Sequence, residues 1–169
     1  TRGSEKNVLN RFYEAAKTTN ADIVVRITGD CPLVDPSLVD RCIQCYKDLK
    51  VDYFSNTNPV SYPDGMDIEV ISFASIERAN NEAVLDYDRE HVTPYILNSE
   101  SFLKSSMKHS EDLSNLRWTV DEYEDLAVVT KVFEHFSPNI HFNWKQVLEL
   151  QKQSPEFFLE NQHIKNNEG

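Results

Sequence analysis

The sequence is poor in cysteine, in positive charge and in long apolar runs, and each shortage excludes a class of protein. Its 169 residues hold three cysteines, Cys31, Cys42 and Cys45. An odd count argues for a reducing compartment and against a disulfide framework. Cys42 and Cys45 form a C-x-x-C, but no second pair accompanies it and it falls inside a helical pattern. It reads as small buried apolar residues rather than a metal or redox centre. Lys and Arg number 17 against 28 Asp and Glu, a net charge of -11. That argues against a nucleic-acid surface, which needs a basic patch, and against binding an anionic membrane. It leaves nucleotides open, because a metal ion screens phosphates from carboxylates. No run is long or apolar enough to span a bilayer and no signal-peptide pattern is present, so a cytoplasmic protein is expected.

What remains is ample for one core: 40% of the residues are hydrophobic. A single domain is expected over residues 1–162, followed by a polar, frayed tail over 163–169. The sequence opens on Thr1 rather than Met, which predicts a fragment or a chain from which earlier residues were removed. No internal repeat or low-complexity linker interrupts it.

The organising stretch is Ile23-Val24-Val25-Arg26-Ile27-Thr28-Gly29-Asp30-Cys31-Pro32. Its β-branched run predicts a buried, central strand of a parallel sheet. Gly29 then permits a sharp turn, Pro32 stops the strand, and Asp30 is placed at the strand's carboxyl end, where open α/β sheets bind ligands. Before it, Ser4 is positioned to cap a helix with Val8, Leu9, Phe12, Ala15 and Ala16 on one face. After it, Asp35 and Pro36 supply an N-cap and first-turn proline for a helix striped by Leu38, Val39, Cys42, Ile43 and Tyr46. Val51–Ser55 reads as the next strand, and this alternation predicts a mostly parallel sheet covered by helices.

Residues 56–65 form a loop, and Asp67–Ile71 alternates as a strand with one polar face. A short helix is expected near Ser75–Ala83. The polar segment Asp86–Pro94 is kinked or restarted at Pro94. Weak strand signal covers Phe102–Lys108, and stronger signal covers Leu116–Val120. A long helix follows Asp121, and shorter ones follow at Asn143–Leu150 and from Ser154-Pro155 to Asn161.

Asp30 and Asp121 each close a predicted strand. If the strands are neighbours, two carboxylates converge and offer Mg²⁺ part of a shell that substrate phosphates complete. A turn role competes for Asp30. For Asp121 the competitor is helix capping, since Asp121-x-x-Glu124 has capping-box spacing. Gly65 allows close approach of a ligand to the backbone, and Asp67 and Glu69 share a strand face that either bonds sugar hydroxyls or meets solvent. His91, within Arg89-Glu90-His91-Val92-Thr93, has no serine elbow or cysteine nucleophile to serve, so binding or structure is its role. Arg2, Arg26 and Arg117 can meet anions. Arg26 and Arg117 lie on predicted buried strands, where each needs a partner, either a carboxylate or a substrate anion.

Several of these segments together resemble the spore coat polysaccharide biosynthesis protein F-like family of the cytidylyltransferase superfamily. They are Arg2–Glu5 with Val8–Phe12, Val25–Pro36, Tyr62–Val70, Arg89–Ile96, and Leu116–Asp121 with Glu124-Asp125-Leu126. The resemblance implies an α/β fold of the nucleotide-diphospho-sugar transferase type, a three-layer α/β/α sandwich with a mainly parallel mixed sheet. It implies transfer of CMP from CTP to a sugar or sugar acid for surface polysaccharide, with Mg²⁺ held by Asp30 and Asp121. Asp64, Gly65, Asp67 and Glu69, with Arg26 and His91, become substrate-side residues, and a homodimer is the expected assembly. Family members begin with a strand and a basic, glycine-containing phosphate loop that this sequence does not contain. The resemblance therefore predicts a truncated, inactive chain with an exposed sheet edge. A glycosyltransferase of the same fold is the alternative enzyme, though Gly29-Asp30-Cys31 lacks the usual D-x-D. A non-catalytic sugar- or metal-binding remnant is the third reading.

Overall fold

The computed structural model describes residues 3–166. Arg2 and residues 167–169 of the expected frayed tail lie outside the described residues. Within the stretch expected to be one domain, the chain forms two compact units, each assembled from separated stretches of sequence. Unit 1 comprises residues 1–26, 42–55 and 69–107, and unit 2 comprises 27–41, 56–68 and 108–169.

Unit 1 carries a four-stranded sheet of β1 (Ile23–Arg26), β2 (Tyr53–Ser55), β3 (Glu69–Ser72) and β4 (Lys104–Ser106), in the order β1-β3-β2-β4. The β2–β4 pair is parallel, and β3 runs antiparallel to both β1 and β2. The sheet is mixed, but the expected mainly parallel pairing is not what forms. The helical crossover between β1 and β2 does keep those two strands pointing the same way. They are not neighbours, because β3 is inserted in reverse between them. The Ile23–Ile27 run, expected to be central and buried, gives a strand at the sheet's end whose four residues are only half-buried. β-branched composition identifies a strand but not its place in the order.

Helices α1 (Val8–Thr18), α3 (Phe73–Glu82), α4 (Asp86–His91) and α5 (Pro94–Asn98) complete unit 1. Leu9 of α1, Ile76 of α3, Val92 and Ile96 pack with Tyr53 and Ile71 of the sheet into its core. The expected cap of α1 is displaced: Asn7, not Ser4, accepts from the N–H of Asn10 at 3.2 Å. The break expected at Pro94 is present. Val92 ends α4 at φ 73°, a conformation a β-branched residue rarely adopts, and Pro94 opens α5 at its first turn.

Helix α2 (Pro36–Leu49) begins in unit 2, followed there by α6 (Tyr123–Phe136), α7 (Trp144–Gln153) and a 3₁₀ turn, Pro155–Phe158. Asp35 caps α2 as expected, accepting from the N–H groups of Ser37 and Leu38 at 2.7 and 3.2 Å. It also accepts from the N–H of Trp144 at 2.9 Å, so one buried carboxylate starts two helices. Trp118, Val128, Val132 and Val147 are fully buried in this unit. The strand expected over Leu116–Val120 is reduced to one parallel bridge, Asp64 with Arg117. The three cysteines are free of disulfides; Cys31 and Cys42 are buried and Cys45 half-buried. Among the described residues no helix is long and apolar enough to cross a membrane.

Candidate active site

Unit 2 holds five of the predicted site residues, Asp30, Asp64, Gly65, Asp67 and Asp121. The backbone explains how. The carbonyl of Leu116 accepts from the Asp64 N–H at 2.9 Å, and the Asp64 carbonyl accepts from the Trp118 N–H at 2.8 Å. The same segment runs on to Asp30, whose carbonyl accepts from the Val120 N–H at 2.8 Å. The Thr119 hydroxyl donates to Asp30 Oδ2 at 3.3 Å. Asp30 thus lies against the 116–121 segment that ends in Asp121, although that segment is not a strand.

Gly65 makes this approach possible. Its φ is +93°, and a Cβ there would lie 2.6 Å from the Thr119 nitrogen and 2.7 Å from the Trp118 carbonyl carbon. The space expected for a ligand is filled by the protein's own backbone. Gly29 has no such constraint: nothing lies within 4 Å of a Cβ built there. The sharp turn assigned to it needs no glycine.

Arg117 is the hub of the cluster. It is 8% exposed and grips Asp125, which is fully buried, through Nε–Oδ1 at 2.8 Å and Nη2–Oδ2 at 2.7 Å. Nη2 also reaches Asp121 Oδ2 at 3.0 Å, and Nη1 reaches Asp64 Oδ2 at 3.4 Å. The carboxylate partner expected for a buried arginine is therefore present, three times over. The helix cap sits one residue later than Asp121-x-x-Glu124 predicts: Glu122 is the N-cap, and Asp125 accepts from its N–H at 3.0 Å and from that of Asp121 at 3.1 Å. Sequence reasoning assigns no role to Asp125 or to its second partner Asn161 (Nδ2–Oδ1 2.9 Å). The available signal is the third-position acid of α6, which offsets the helix dipole.

The charges are unbalanced. Burial tends to raise the pKa of Asp30, but hydrogen bonds from Thr28, its own backbone, Cys31 and Thr119 outweigh that and hold it below the ordinary carboxylate range. Asp64 is pushed up by burial and by the charges of Asp121 and Asp30, despite Arg117. Burial, with the charges of Asp30 and Asp67, lifts the Cys31 thiol to about 11, so it is no nucleophile. For Asp125, burial raises the pKa while Arg117, Asn161 and the two backbone N–H groups lower it further, to about 2. A carboxyl depressed below its unfolded value of 3.8 stabilises the fold above that value and loses its contribution as pH falls toward 2. Thermal scans between pH 5 and pH 2 should therefore show a steeper loss in the native protein than in Asp125→Asn.

The other three predicted residues lie in unit 1. Arg26 and Glu69 face each other across β1 and β3 and form an ion pair at 2.5 Å, and the Tyr53 hydroxyl donates to Glu69 at 2.7 Å. Glu69 is buried, and Asp67 precedes β3 instead of sharing its face. His91 ends α4, exposed, with its ring 4.4 Å from that of Tyr87.

Comparison with known proteins decides the family. The profile of the cytidylyltransferase family matches residues 1–166. The chain belongs to the cytidylyltransferase family. An uncharacterised protein of Methanocaldococcus jannaschii is 32% identical over 167 residues, which is 97% of this chain and 67% of that protein. The spore coat polysaccharide biosynthesis protein SpsF of Bacillus subtilis is 28% identical over 92% of this chain and 65% of its own length. A solved cytidylyltransferase from Leptospira borgpetersenii superposes with a TM-score of 0.89 at 32% identity, covering 98% of this chain and 70% of that one. This cytidylyltransferase-family chain thus has a nucleotidyltransferase fold, mixed α/β with a four-stranded sheet.

Among its described residues no group of three or more His, Cys, Asp or Glu is arranged to hold a metal. Mg²⁺ does not need one, because it is commonly bound through one or two carboxylates with water and substrate phosphates. Asp30, held ionised, and Asp121, 51% exposed with one oxygen on Arg117, fit that smaller demand.

Proposed function

We propose that the protein transfers CMP from CTP to a hydroxyl of a sugar or sugar acid, with Mg²⁺ bound by Asp30 and Asp121. The observation that carries this is that Arg117 holds Asp64 and Asp121 while the same 116–121 segment reaches Asp30 through Thr119 and Val120, in a chain of the cytidylyltransferase family. The hydroxyl oxygen gives up its proton to solvent and bonds to the α-phosphorus, the bond from that phosphorus to the bridging oxygen breaks, and pyrophosphate leaves. The metal, when bound, offsets phosphate charge as it develops. Arg117 holds Asp121 and Asp64 in place. Thr119 fixes the rotamer of Asp30. The name of the Bacillus subtilis relative supports a place in polysaccharide biosynthesis.

The test is pyrophosphate release from CTP and Mg²⁺ by the full-length protein, with a panel of sugars and sugar acids. Asp30→Asn and Asp121→Asn are each expected to lower turnover by about 10²–10³-fold, the usual loss when one charge-stabilising group is removed. Unchanged turnover in both variants would overturn the assignment.

A further inference from the structure

The Nε of Arg11 is buried and has no hydrogen-bond partner among the described residues. Native structures seldom leave such a donor unsatisfied without a reason. Arg11 forms no ion pair there either, in a chain with 28 acids and 17 basic residues. Its stem is seated against the backbone of Gly3, where a Cβ would come 2.9 Å from Arg11 Cγ. The side chain therefore packs there with no acidic partner among the described residues.

A second guanidinium is brought to the same face of α1. Asn7 and Arg11 are one turn apart and so are neighbours on that face. Arg89 of α4 donates through Nη1 to Asn7 Oδ1 at 3.5 Å and through Nη2 to the Asn80 carbonyl at 3.0 Å. Asn10 ties the arrangement to Asn80, Nδ2 to Oδ1 at 3.4 Å. Both of these partners of Arg89 are neutral. Asp88, the buried acid beside it, forms an ion pair with neither arginine, and Glu14 and Glu90 are exposed.

We propose that Arg11 and Arg89 form a binding site for an oxyanion, a phosphate or carboxylate group of a small molecule, on the first turns of α1. A guanidinium fork matches either group bidentately. The site lies wholly in unit 1 and does not depend on the CTP reading. The experiment is a metal-free titration of the full-length protein at low ionic strength, observed at the arginine Nε–H resonances. Inorganic triphosphate and glucuronate are added separately. The Arg11 Nε–H signal is expected to shift saturably with at least one of them. Arg11→Lys and Arg89→Lys are each expected to weaken that binding about tenfold, because lysine lacks the fork. Response to triphosphate alone assigns phosphate, response to glucuronate alone assigns carboxylate, and response to both assigns a general oxyanion site. A signal that moves with neither overturns the proposal, as does unchanged affinity in a folded Arg11→Lys protein. If a lysine variant fails to fold, the titration of the native protein decides.

Discussion

Arg117→Met should lower the stability of the fold by about 3–5 kcal/mol, the usual result of stripping the partner from a buried charge. The three ion pairs of Arg117 do not contribute equally. Asp121 is half-exposed, and solvent-screened pairs are worth little, about 0–1 kcal/mol. Asp64 lies at 3.4 Å, beyond the usual range of a strong bond. Asp125 dominates, because it is fully buried and its two oxygens meet two guanidinium nitrogens. Without Arg117 it keeps only Asn161 and the backbone donors, and it must either stay charged in a dry site or take up a proton. The Arg117→Lys variant restores a charge but not the two-pronged contact, so it should recover only part of the loss. Urea unfolding followed by tryptophan emission measures this directly. Both tryptophans, Trp118 and Trp144, are buried in unit 2, so the signal reports on the unit that holds Arg117. A midpoint that does not move in Arg117→Met would refute the hub.

Gly65→Ala should cost roughly 2–5 kcal/mol, and Gly29→Ala close to nothing. At Gly65 two penalties add. The positive φ disfavours any L side chain by about 1–2 kcal/mol, and overpacking costs about 1–3 kcal/mol more. The atoms a methyl group would strike all belong to the backbone of Trp118 and Thr119. They cannot swing aside as a side chain can, and moving them disturbs the Asp64–Trp118 hydrogen bond and the Thr119 contact with Asp30. Gly65→Ala should therefore weaken the proposed CMP transfer as well as the fold. Gly29 has open space and an ordinary φ. Its replacement by alanine removes backbone freedom from the unfolded chain and is neutral to slightly stabilising. Denaturant midpoints of the two variants side by side check the contrast, and equal effects would be a failure of the argument.

These two glycines show what the sequence can and cannot disclose. Both precede or follow an aspartate near a strand end, and residue type alone does not separate them. Only the partner segment, at Trp118 and Thr119, shows which one is crowded. The helices are legible because the stripe of apolar residues and the Asp35-Pro36 start are local signals. Arg26 and Arg117 are legible as buried charges in want of partners, since that need is set by chemistry and not by topology. The order of strands is not, because the reversal of β3 between β1 and β2 leaves no mark in the composition of any one strand. Asp125 escapes notice for the same kind of reason. On paper it is one acid among several after Asp121, and only burial distinguishes it.

The interleaving of the two units sets an order of assembly on the ribosome. All of unit 1 lies at or before residue 107, whereas more than half of unit 2 comes after it. At about 5–20 residues per second, the sheet and its helices have about 0.5–2 s in which to form before Arg117 emerges. During that interval Asp64 stands without the arginine that later pairs with it, and Asp30 without the Thr119 hydroxyl. The hub is thus a late lock, closed by residues made after the whole of unit 1. A ribosome stalled when the chain has left the exit tunnel to between residues 107 and 117 should carry a structured unit 1 beside a loose unit 2.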